Sequence, residues 1–94
     1  MKHPFGLEAF VDWLETQPPA GIYNYRDNNS CAYALYLQSI GISASVGAYQ
    51  WHRDDTLEEF DLPNEINETV RGSKAQWTFG AAARRGRQFL ESVS

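Results

Sequence analysis

Cys31 is the only cysteine of the chain, and a polar run, Asp27-Asn28-Asn29-Ser30, delivers it to the start of an apolar helical stretch. A thiol in the first turn of a helix has its pKa lowered by the helix dipole, the setting in which cysteine acts as a nucleophile. Such chemistry needs a general base. The chain offers two histidines: His3, near its start, and His52, 21 residues beyond Cys31 in what reads as a strand-end loop. A small thiol-dependent enzyme using Cys31 and His52 is one expectation, although no third residue stands out to orient the base. The competing reading is a small buried hydrophobe at a helix start, which is how a free cysteine usually packs.

Other chemistry finds less support. His52, Asp54, Asp55, Glu58 and Glu59 are ligand-capable types, but they lack the glycine and the alternating oxygen ligands of a calcium loop, and the Cys and His pairs of a zinc site are absent. Neither a metal nor a cofactor is expected. No phosphate-binding loop, dinucleotide glycine fingerprint or Gly-x-Ser-x-Gly elbow occurs. Adjacent carboxylates such as Asp54 and Asp55 have nothing apolar around them to split their pKa values. With no catalytic set, a non-enzymatic role is the main expectation.

Charge is the distinctive feature. Residues 54–68 hold seven acidic side chains (Asp54, Asp55, Glu58, Glu59, Asp61, Glu65 and Glu68) and no Lys or Arg, so the block carries −7 while the rest of the chain sums to +3. A dense patch of one sign attracts the opposite sign and speeds encounter. These seven residues, with Tyr49 and Trp51 beside them as apolar anchors, form the candidate partner-binding set, and a protein with a basic surface is the expected partner. Direct nucleic-acid binding is not expected. Arg84, Arg85 and Arg87 make a basic face and Tyr23, Tyr25, Tyr49 and Trp51 could stack bases, but a pI near 5.0 works against phosphate. The arginines read as a solvated helix face with an Arg87–Glu91 pair.

The elements that must position these groups follow from periodicity. Residues 7–16 place Leu7, Phe10, Val11, Trp13 and Leu14 on one arc and Glu8, Asp12, Glu15 and Thr16 on the other, which predicts an amphipathic helix stopped by Pro18-Pro19. Ile22–Tyr25 reads as a short strand. A nearly all-apolar central helix is predicted from Cys31 to about Ile40, with Asn29 or Ser30 as N-cap and Gly41 in the left-handed position. From Ile42 to Trp51 the alternation predicts a strand that pairs with Ile22–Tyr25. Thr56-Leu57-Glu58-Glu59 has capping-box form, so a helical turn buries Leu57 and Phe60. Pro63 opens a second short helix, with Ile66 and Val70 inward and Gly72 ending it. Residues 79–93 form the last helix. Its face of Phe79, Ala82, Ala83, Gly86, Phe89, Leu90 and Val93 is small enough for another helix to approach, in this chain or in a second copy.

Together these predict an α+β fold: a single domain spanning residues 1–94, helix-rich, with three to four helices on a short antiparallel β-sheet. Hydrophobic content of 43% supports a core without staples, and one cysteine permits no internal disulfide, which points to a reducing compartment. Glu8, Asp12 and Glu15 rule out the apolar centre of a secretory leader, and no run reaches the roughly 20 apolar residues of a membrane helix. A cytoplasmic protein of a bacterial host cell, as monomer or homodimer and without membrane attachment, is the expectation.

Two resemblances bear on function. Asn29-Ser30-Cys31-Ala32 resembles the Asp-Cys-Ser-Gly stretch of bacterial cell-wall peptidases, but the downstream histidine strand of that family is missing. The series Phe10-x-x-Trp13-Leu14, a tyrosine-rich turn, Asn29-Ser30-Cys31-Ala32-x-Ala34-x-Tyr36-Leu37, a glycine-bounded strand and Thr78-Phe79-Gly80-Ala81-Ala82 is similar to short proteins encoded by phages and prophages of proteobacteria. Some small acidic phage proteins act as anti-CRISPR inhibitors by stoichiometric binding. That resemblance implies defence evasion, with an acidic nucleic-acid mimic docking on the basic groove of a CRISPR effector complex; a phage structural or assembly protein is the alternative. It transfers no catalytic residue.

Overall fold

The computed structural model describes residues 5–25, 27, 29–47, 49–71 and 77–92. The first apolar arc makes helix α1 (Leu7–Thr16), which buries Phe10, Val11 and Leu14 and stops before the two prolines. Helix α2 (Ala32–Ser39) starts one residue later than expected, with Cys31 itself as N-cap. Its end is a Schellman motif: Ile42 N–H donates to Leu37 O (2.9 Å), Gly41 N–H donates to Gln38 O (3.0 Å), and Gly41 takes φ 89°. Ala32, Tyr33, Ala34, Tyr36 and Leu37 are all buried, because α2 lies between the sheet and the other helices.

The sheet is an antiparallel meander of β1 (Ala44–Val46), β2 (Gln50–Arg53) and β3 (Glu59–Asp61). The single strand expected over residues 42–51 is therefore a hairpin. In register, Val46, Trp51 and Phe60 lie side by side on the inner face, and Ser45, His52 and Glu59 lie side by side on the outer face. Trp51 is the hub of the inner face: Phe60 stacks on it at 4.4 Å, and Phe5 meets it edge-on at 5.1 Å.

Two sequence expectations fail here for identifiable reasons. Ile22–Tyr25 does not join the sheet; Ile22 makes one isolated bridge to Thr78. The segment is held instead by its tyrosines, since Tyr23 Oη donates to Val70 O (2.7 Å) and Tyr25 Oη donates to Asn67 Oδ1 (2.9 Å). The capping box at Thr56 forms no helix either. Glu59-Phe60-Asp61 also alternates polar and apolar, and stacking Phe60 on Trp51 favours the strand. Thr56 Oγ1 accepts from Glu58 N–H (3.3 Å) within a hairpin loop, and Leu57 is turned out to solvent.

Helix α3 (Asn64–Val70) follows Pro63 and buries Ile66 and Val70 as its sequence predicts; Gly72, expected to end it, lies outside the described residues. Its short length leaves final carbonyls without intrahelical donors. Arg85 and Tyr23 supply them: Arg85 Nε donates to Thr69 O (2.9 Å), Arg85 Nη2 donates to Tyr23 Oη (2.9 Å), and that hydroxyl donates onward to Val70 O. Arg85 is thus a cap for α3 and not the solvated side chain expected. Arg87 also departs from expectation, reaching across to Asp12 (3.3 Å) and Glu15 of α1.

Helix α4 (Phe79–Ser92) turns Ala82, Ala83 and Gly86 inward, while Val93 lies outside the described residues. These small residues serve packing within the chain, so they are not available to join two copies. At Gly86 the fit is close: a Cβ there would lie 2.4 Å from Val11 Cγ2 and 3.1 Å from Thr69 Cγ2. Alanine raises helix propensity over glycine by about 1 kcal/mol, yet overpacking a tight site costs about 1–3 kcal/mol. Gly86→Ala is therefore expected to destabilise the protein, seen as a lower urea midpoint with unchanged slope. A variant as stable as the parent would show that α1, α3 and α4 do not close at this residue.

Candidate functional site

The seven acids divide into two groups. Asp54 and Asp55 sit in the β2–β3 loop, Glu58 closes it, and Glu59 and Asp61 lie on β3. Strand alternation puts Glu59 and Asp61 on the outer face, opposite His52 and Gln50 respectively. Glu65 and Glu68 belong to α3, and Glu68 borders a groove with Arg85, Gln88 and Phe89 of α4. The block is thus not one face. Its sheet part carries five acids; its helix part carries two.

Neighbouring groups modify this charge. Arg53 grips Asp55 through two hydrogen bonds of 3.2 Å each and holds its carboxyl below the usual carboxylate range. Asp54 accepts from Ser43 Oγ and Ser45 Oγ, both at 3.0 Å, with His52 Nε2 3.7 Å away. Glu68 pairs with Arg71 at 3.6 Å. Glu59 and Asp61 have no ion pair among the described residues, so their charge faces outward uncompensated.

Of the two side chains expected as apolar anchors, one is exposed and one is buried. Tyr49 is 82% exposed at the β1–β2 turn. Trp51 is 1% exposed and points to the core, so it has no surface to offer a partner. A different apolar side chain is exposed near the acids. Leu57 is 72% exposed in the loop beyond the far end of β2 and adopts φ 60°, a left-handed conformation that a leucine holds at a cost of roughly 1–2 kcal/mol. The four-residue loop demands it: Arg53 N–H donates to Glu58 O (3.0 Å), and Leu57 N–H donates to Arg53 O (2.9 Å). The turn-forming run Asp54-Asp55-Thr56 carried that signal, overshadowed by the capping-box pattern.

Cys31 and His52 are not brought together. His52 lies within β2, not in a loop, on the outer face, while Cys31 is buried on the inner side beside Val46. Burial pushes the Cys31 thiol up, outweighing the nearby Ala34 and Tyr33 N–H groups that pull it down. A thiol held protonated and remote from a base is unsuited to nucleophilic attack. No group of three or more His, Cys, Asp or Glu among the described residues is arranged to hold a metal ion. No described helix is long and apolar enough to cross a membrane.

Set against protein-family models, curated proteins and solved structures, the chain matches none.

The buried hydroxyls have a consequence for pH. Burial pushes Tyr23 up to about 12 from an ordinary 10.0, although Arg85 pulls it down, and Tyr33 and Tyr36 are raised by burial as well. Between those values the unfolded chain has released protons that the folded chain still holds, so stability falls as pH rises. The Cys31 thiol, raised from 9.0, acts in the same direction at lower pH. Urea midpoints are expected to hold up to about pH 8 and to decline between about pH 9 and 12. A midpoint flat across that window would contradict the burial of these hydroxyls.

Proposed function

We propose that the protein is a non-enzymatic binding module that docks the acidic outer face of its sheet on a basic, nucleic-acid-binding groove of a protein partner. The phage resemblance makes a host CRISPR effector complex the partner of choice, with the carboxylates standing in for phosphates. One observation carries this reading: Glu59 and Asp61 project unpaired from a rigid strand face that is bracketed by two exposed apolar side chains, Leu57 at one end and Tyr49 at the other. Outward carboxylates supply steering and register. Exposed apolar groups at the ends supply area to desolvate, which charge alone does not. The left-handed turn at Leu57 closes the β2–β3 loop and in doing so holds an apolar side chain out to solvent beside the acids, where a partner can cover it. Glu65 and Glu68 extend the negative field from α3 without sharing the face.

The test is retention of a CRISPR effector complex, purified from the natural host, on the immobilised protein. Retention is expected at about 0.05 M salt and its loss at about 0.5 M, where screening shortens to a few ångströms. Reversing two charges, Glu59→Lys with Asp61→Lys, is expected to weaken retention roughly tenfold or more. Leu57→Asn is expected to raise folding stability by up to about 1 kcal/mol, because asparagine accepts the left-handed conformation, while also weakening retention. Binding indifferent to both changes, or none at low salt, would overturn the proposal.

A further inference from the structure

On the other side of the sheet from Glu59 and Asp61, a cavity of about 170 Å³ opens between the start of α2, the end of β1 and α3. Tyr25, Cys31, Val46, Leu62, Asn67 and Val70 form most of its wall. All but Tyr25 are buried, and the exposed Gly47 marks the mouth, so the space is a recess in the core and not a surface groove.

Its chemistry is selective. None of the described lining residues is charged, so none of them would repay the desolvation of an ionic ligand. The polar end is Asn67. Its Oδ1 accepts from Tyr25 Oη at 2.9 Å, which fixes the amide and presents Nδ2 as a donor. The side chain is only 7% exposed, yet Nδ2 donates to no described residue, and it is not sealed within the core. Solvent therefore reaches this donor, and it is free to bond an acceptor that enters the recess. The volume sets the size, for an apolar cavity of about 150 Å³ accommodates a single benzene ring.

We propose that this recess is a binding site for a small neutral compound of one ring bearing a carbonyl group. The carbonyl oxygen accepts from Asn67 Nδ2, and the ring packs among Val46, Leu62 and Val70. Cys31 lies in the wall as an uncharged contact, so occupation of the recess shields its sulfur. The site lies on the opposite face of the sheet from Glu59 and Asp61, and its occupancy is independent of partner docking.

Acetophenone and ethylbenzene, near-isosteres with and without a carbonyl, test this by titration of the amide NMR spectrum. Shifts are expected at Cys31, Val46, Gly47, Asn67 and Val70, with acetophenone binding about tenfold tighter, the worth of one hydrogen bond. Asn67→Leu is expected to erase that preference. Because this change also removes the partner of Tyr25, Val70→Ile provides a second arm: it adds a methylene to the recess and is expected to weaken both probes. In the unaltered protein, saturating acetophenone is expected to slow modification of Cys31 by methyl methanethiosulfonate several-fold. Absent shifts, shifts centred elsewhere, equal affinity for the two probes, or unchanged Cys31 modification would each overturn the site.

Discussion

The absence of a side chain at Gly86 is the constraint on which the helical half of the molecule depends. At this one position α4 comes close enough to α1 and α3 that Val11 and Thr69 occupy the space a Cβ would take. Everything adjacent assumes that approach. One residue earlier, Arg85 reaches the Thr69 carbonyl of α3 because the two helices are in contact there, and its guanidinium also orients Tyr23, which bonds the Val70 carbonyl. One residue later, Arg87 spans to Asp12 and Glu15 of α1. A run of three consecutive residues thus closes a steric contact, a helix cap and an inter-helix ion pair. Of these, the exposed ion pair contributes least, since such pairs are worth about 0.2–1 kcal/mol.

The sheet has a comparable single point of control in β2. Alternate residues of this strand separate the protein's two kinds of chemistry: Trp51 locks the aromatic core, while Gln50 and His52 face outward beside the acids of β3. A slip of one residue in the pairing would bury carboxylates and expose Trp51 and Phe60. The stacking of the half-buried Phe60 on the buried Trp51 therefore holds the acidic face in place. The proposed docking surface and the core are two sides of one strand register.

Much of this was legible from residue pattern. The arcs of α1, α3 and α4 follow apolar spacing that packing then uses, and Gly41 announced its left-handed turn. The small-residue stripe of α4 marks a close-approach surface in the sequence, and the structure uses it as one. What escaped was tertiary choice between locally similar options. Thr56-Leu57-Glu58-Glu59 satisfies a helix start and Glu59-Phe60-Asp61 satisfies a strand; only the distant Trp51 decides between them. Tyr23 and Tyr25 look like strand residues because they are aromatic, but their hydroxyls find acceptors on α3, more than 40 positions away. The site was half legible for the same reason. Acids announce themselves by composition, whereas the inward turn of Trp51 and the outward turn of Leu57 depend on register.

The pairing of α1 with α4 also governs when the fold can be completed during synthesis. Val11 waits for Gly86, 75 residues later in the chain. At roughly 5–20 residues per second on the ribosome, the apolar face of α1 spends on the order of 4–15 s without its principal partner. The sheet and α2 can associate during that interval, because their contacts are closer in sequence. For those seconds Val11 stands without the residue it closes against, a window in which a nascent chain is open to chaperone capture or to association with its neighbours on a polysome.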